Sequence, residues 1–90
     1  MKDYYIPKHT VIQYVRDKKG IPYGVVVAIK SENGFDIGYS LCRKNDRFSK
    51  DMALKIAIGR AELSVGDLPH SVRHMLPAFR ERCKKYYRVA

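Results

Sequence analysis

Ninety residues, with 18 Lys and Arg against 9 Asp and Glu and a net charge of +9, make one basic domain, residues 1–90, with no room for a second core. Nearly half of the residues are apolar and no Gly/Ser, Gln or Pro tract interrupts them, which argues against disorder. The longest apolar run, Tyr23 to Ile29, is far shorter than the roughly 20 residues a membrane span needs, and attachment of the basic C-terminal helix to a membrane surface is disfavoured because its apolar face is needed for the core.

The opening MKDYYIPKH has no hydrophobic signal region, and residues 1–9 read as a flexible arm. Cys42 and Cys83 read as reduced thiols, so the expected location is the cytoplasm. Residues 10–17, TVIQYVRD, are β-branched and aromatic and stop at Lys18-Lys19-Gly20, giving a first strand. YGVVVAIK, residues 23–30, gives a second. Asn33-Gly34 signals a hairpin, since both residues tolerate the positive φ of a type I′ turn. Residues 35–42 alternate, with Phe35, Ile37, Tyr39 and Leu41 on one side, and the matching side of strand two is taken as Tyr23, Val25, Val27 and Ile29. The expected sheet is a three-stranded antiparallel meander with one face covered. Its other face would carry Gly24, Val26, Ala28, Gly38 and Ser40, small enough for a tight backbone contact or a flat ligand.

Arg43, Lys44 and Arg47 fall in the linker that follows. Ser49 is placed to cap a helix over 50–63, and Asp51 suits its first turn. Met52, Ile56, Gly59 and Leu63 form one apolar stripe on it; Leu54, Ala57, Ile58 and Ala61 form a second, nearly opposite. That predicts burial on both sides, or a second face offered to a partner. Arg60 falls at the Met52/Ile56 face and is expected to pair with a carboxylate such as Asp36 or Glu62, or to reach a surface site. After Gly66 and a capping Asp67, a helical pattern covers 68–88, with a kink or restart at Pro77. Its core stripe is Val72, Met75, Leu76, Phe79, Cys83 and Tyr86. The fold class is therefore α+β, a meander followed by two helices.

The charge is unevenly spread: residues 43–60 carry +4 and residues 70–90 carry +5, with Glu81 the only acid in the latter. On a continuous helix Arg73, Arg80, Lys84 and Arg88 fall in one band beside the core stripe, with Tyr87 at its border and Lys85 on the far flank. Like charges at four-residue spacing are unfavourable unless an anion neutralises them, and phosphates would do so. The same pattern also fits long side chains solvated along a core edge. Arg43, Lys44 and Arg47 extend the footprint if the fold brings them alongside. No zinc-finger spacing, RRM consensus or GXXG loop is present, so any nucleic-acid binding would be to backbone and shape.

His70 and His74 have i,i+4 spacing but no neighbouring cysteine or carboxylate pair, so no metal is expected. There is no Walker loop, dinucleotide fingerprint or local Ser/His/Asp signature. No cofactor and no enzymatic activity are expected.

Gly38-Tyr39-Ser40-Leu41-Cys42 followed by Ile56-Ala57-Ile58-Gly59-Arg60-Ala61 resembles a group of small proteins encoded by tailed bacteriophages, over residues 24–62. Tyr39 and Ala53 stand where that pattern has tryptophan and glycine. The resemblance carries over no functional residues. It implies a setting, the bacterial cytoplasm during infection, among small proteins that often modify host machinery. Two functions then compete. One is non-enzymatic binding of nucleic acid or another polyanion through Arg73, Arg80, Lys84, Lys85 and Arg88. The other is an inhibitor or adaptor that docks on a host protein through the second face of the 50–63 helix or the small-residue sheet face. Homodimerisation through the same surfaces is a further expectation, and a structural role in a larger particle is the plainest reading.

Overall fold

A computed structural model describes residues 6–32, 34–42, 47–63 and 68–88. Three strands, β1 (Val11–Arg16), β2 (Pro22–Ser31) and β3 (Gly34–Leu41), form an antiparallel sheet in the order β1-β2-β3. Three helices follow, α1 (Lys50–Glu62), α2 (His70–Arg73) and α3 (Leu76–Tyr87). This is the expected α+β arrangement.

The β1–β2 turn is built by Asp17. Its carboxylate accepts from the backbone N–H groups of Lys19 (2.8 Å) and Ile21 (3.0 Å), while Gly20 takes φ +84°. The second hairpin closes at the Ser31–Gly34 pair, so Gly34 (φ +127°) already belongs to β3. Asn33, expected in the turn, lies outside the described residues.

Both faces of the sheet are covered, which corrects the expectation of one. Val25, Val27 and Ile29 pack with Ala53, Leu54, Ala57, Ile58 and Ala61 of α1. Val11, Val15, Val26 and Ala28 pack on the opposite face with Val72, Phe79 and Cys83. The strand register explains the error. Val25 pairs with Ser40 and Val26 with Tyr39, so Phe35, Ile37, Tyr39 and Leu41 share a face with Gly24, Val26 and Ala28, not with Val25 and Val27. A slip of one residue exchanges faces throughout a strand. The unbroken burial of Gly24 to Ile29 marks β2 as the central strand of a sheet sandwiched between helices.

The supposed small-residue face therefore does not exist as a free surface. Gly38 and Ser40 lie under α1, Gly24 and Ala28 on the other side. A Cβ on Gly38 would stand 2.5 Å from the Ala61 amide nitrogen and closer still to the Ala57 carbonyl oxygen. Glycine is required there because the α1 backbone rests on it. Ser49 caps α1 as expected, accepting from the Met52 amide at 3.3 Å. Only one side of α1 is buried, however. Met52, Ile56 and Leu63 are exposed, at 57%, 38% and 77%.

The expected restart at Pro77 is present: α2 ends at Arg73 and Pro77 sits in the first turn of α3. Phe79 and Cys83 are buried as expected. Tyr86 is not; it is 53% exposed, and Tyr87 turns inward instead. The Tyr87 ring stacks on Phe35 (centroids 5.7 Å, 18°), and its hydroxyl donates to the Ala28 carbonyl at 2.9 Å and bonds the carbonyl of His9. Tyr87 is preferred inside because a buried tyrosine needs a partner for its hydroxyl, and those two carbonyls supply it. Of the expected arm, Ile6 packs against the α1-side core and Thr10 bonds the Pro7 carbonyl (2.6 Å); residues 1–5 lie outside the described residues.

Candidate nucleic-acid interface

With Phe79 and Cys83 turned into the sheet, α3 shows its remaining surface to solvent. Arg80, Arg82 and Lys85 are exposed, Lys84 is half-buried, and Arg88 is exposed just past the last turn. Glu81 reaches Lys84 at 3.6 Å, an i,i+3 pair that is largely solvated and worth little. Lys84 and Lys85 stand in the last turn, where the negative end of the helix dipole offsets part of their mutual repulsion.

Arg82 has a structural task. Its guanidinium donates to the Ile12 carbonyl (3.5 Å) and the Gln13 side chain (3.4 Å) on the outer edge of β1. Arg60 does the equivalent at the other edge. It donates to the Tyr39 carbonyl at 3.1 Å and lies 4.7 Å over the Tyr39 ring, so its partners are a carbonyl and an aromatic face rather than the expected carboxylate. A three-stranded sheet has two open edges, and each carries one such arginine.

Of the eight cations singled out from the sequence, Arg80 and Lys84 share one side of α3 at four-residue spacing, Arg88 follows at its C-terminal end in left-handed backbone, and Lys85 stands on the far flank beyond Glu81. Arg73 does not join their band as drawn on a continuous helix, because the chain breaks between α2 and α3; its Nε donates to the Leu68 carbonyl at 2.9 Å. Arg47 stands with α1, on the opposite side of the sheet, where it lines a groove of about 250 Å³ with Phe48, Met52 and Ile56. Arg43 and Lys44 lie outside the described residues.

The C-terminal end of α3 opens into a small pocket of about 190 Å³ lined by His9, Lys30, Tyr86, Tyr87 and Arg88. His9 Nδ1 lies 3.4 Å from the Tyr86 hydroxyl, and the Tyr86 and Tyr87 rings meet edge to face with centroids 5.0 Å apart. Among the described residues, no carboxylate lines it. His9, Lys30 and Tyr86 were not singled out as site residues, since nothing in the sequence connects positions so far apart. The one available signal was the Tyr86-Tyr87 pair, of which only one can face the core.

These surfaces present exposed cations together with the hydrogen-bonding side chains of His9 and Tyr86. Burial pushes the Cys83 thiol up, only partly opposed by Arg82 and Arg80, so it stays protonated in the core. Among the described residues no three His, Cys, Asp or Glu side chains gather at metal-binding distance, and His70 and His74 are both exposed. No described helix is long and apolar enough to cross a membrane. No protein-family model matches the chain, and neither the curated proteins nor the solved structures give a match.

Proposed function

We propose that this protein binds nucleic acid non-enzymatically, holding the phosphate backbone along the outer face of α3 with Arg80, Lys84, Lys85 and Arg88. The observation that carries the reading is that this face exposes these cations against the single acid Glu81, while the inner face of the same helix is fixed to the sheet by Phe79 and Cys83. Because the helix backbone is already anchored by the core, only the cationic side chains have to be ordered when phosphates bind. Contacts of this kind position a strand without reading its bases. The resemblance to small phage proteins would put this activity in the cytoplasm of an infected bacterium.

The test is the double variant Arg80→Glu/Lys84→Glu. Its circular dichroism and unfolding midpoint should match the parent, because both side chains lie outside the core, and its affinity for DNA and RNA should collapse. A folded double variant that binds as well as the parent would remove α3 from the interaction.

The outer face of α1 favours a second reading, a docking surface for a partner protein. Met52, Ile56 and Leu63 are exposed, and a Cβ on Gly59 would meet nothing within 4 Å, so the fold itself has no use for a glycine there. Exposed apolar residues around a glycine suit close approach by another chain. Under this reading a protein retained by the parent is lost with Ile56→Glu and kept with Arg80→Glu/Lys84→Glu; retention by all three would exclude α1.

A further inference from the structure

The pocket at the end of α3 has features that the basic face alone does not require. Two described non-glycine residues have positive φ, His9 at 63° and Arg88 at 57°, and both line it. Left-handed backbone is unfavourable for such residues, and the position after a helix is usually filled by glycine. An arginine kept at that position keeps its side chain at the pocket. Lys30 comes from the end of β2 and adds a second cation, and the His9 imidazole lies beside Tyr86, its Nδ1 3.4 Å from the Tyr86 hydroxyl.

Cations alone would suit any anion. The exposed Tyr86 ring adds an aromatic surface, held edge to face by Tyr87, which is itself fixed through its bonds to the carbonyls of His9 and Ala28. The volume, about 190 Å³, falls below the ~300 Å³ at which whole small-molecule ligands are usually enclosed. It fits one group of a longer chain.

We propose that this pocket takes one unstacked nucleotide of a single strand, with its base on Tyr86 and its phosphate held by Lys30 and Arg88. The inference rests on the reading of α3 as a backbone rail and specifies it further. A duplex keeps its bases stacked inside and can use only the rail; a single strand can use rail and pocket together.

Two measurements test this. In the first, a short labelled oligothymidylate and a duplex are titrated with the parent, Tyr86→Ala and Arg80→Glu/Lys84→Glu. Tyr86→Ala should weaken single-strand binding about tenfold, the loss typical of one stacked base, and leave duplex binding unchanged. Equal single-strand affinity of parent and Tyr86→Ala overturns the pocket while leaving the rail. In the second, adenosine monophosphate and inorganic phosphate are added separately while the ring resonances of Tyr86 and His9 are followed by NMR. Saturable shifts with the mononucleotide, lost in a Lys30→Gln/Arg88→Gln variant, support the pocket even if the rail binds no nucleic acid. No shift with the mononucleotide, or shifts with phosphate of equal size and affinity, overturns the assignment of a nucleotide.

Discussion

The two long helices lie on opposite faces of one sheet, and their inner sides obey the same rule while their outer sides do not. Inside, α1 offers Ala57, Ile58 and Ala61 to β2 and β3, and α3 offers Phe79 and Cys83 to the other face. Outside, α3 exposes Arg80, Arg82 and Lys85 against the single acid Glu81, whereas α1 sets the exposed apolar residues Met52 and Ile56, with Leu63 at its end, among charges of both signs. Core packing accounts for both inner sides and says nothing about either outer one. Function is therefore to be sought where the two helices differ. A cationic rail suits phosphates, and an apolar stripe suits a protein.

The comparison is broken most forcefully from inside. Phe79→Ala should cost about 3–5 kcal/mol. That is a large share of the ~5–13 kcal/mol expected for a domain of this length. Chemical unfolding would show the loss; a cost near zero would mean that α3 is not anchored by this ring. Gly38→Ala should cost about 1–3 kcal/mol, because the new methyl meets α1 backbone that cannot turn aside.

Gly59→Ala is the counterpart on the outer side. It should stabilise the isolated chain by about 1 kcal/mol, since space is open and only helix propensity changes. Opposite signs for the two glycines would sharpen the contrast between a glycine that packing requires and one that it does not. Arg88→Gly should also gain about 1 kcal/mol by relieving left-handed backbone, while the salt dependence of nucleic-acid binding falls by about one phosphate contact.

The smallest effect is alkaline. The Tyr87 hydroxyl is pushed up to about 12 from 10.0, chiefly by burial and further by Cys83 and Tyr86, with a backbone hydrogen bond at Val11 opposing. A folded value above the unfolded one means that this contribution is complete below about pH 10 and is lost as pH rises towards 12. Cys83, raised by burial, adds in the same direction above its ordinary 9.0. Urea midpoints should fall over that range in the parent and fall less in Tyr87→Phe; identical curves would remove Tyr87 as a source.

Much of this fold was legible from local patterns. Alternation in Phe35–Leu41, the Ser49 cap and the restart at Pro77 each depend on neighbours in the chain, so the elements could be read directly. The arrangement of layers was also written in Tyr23–Ile29, whose unbroken apolar run signals a strand covered on both faces. It was misread because the alternation of an edge strand was extended to the whole sheet. The segments 38–42 and 56–61 meet in space: Gly38 lies beneath Ala57 and Ala61, and Arg60 lies over the Tyr39 ring, so together they form a packing joint.

The site was less legible. Arg80 and Lys84 share a side of α3 because helical periodicity brings them together, while the left-handed Arg88 lies just past the helix end and Lys85 on the far flank. Arg73 and Arg47 are separated from them by a helix break and by the sheet, neither of which a wheel can show. His9, Lys30 and Tyr86 converge only through the strand register and the inward turn of Tyr87, which are tertiary facts.

The most direct test of the central claim is a salt series for the parent chain binding duplex DNA. Four phosphate contacts on α3 give a slope of about −3 to −4 in log K against log salt, or roughly a hundredfold loss between about 50 and 200 mM. That result would establish the cationic face as the binding surface. No binding at the lower salt, or affinity indifferent to salt, would contradict it and leave the apolar face of α1 as the functional side of the molecule.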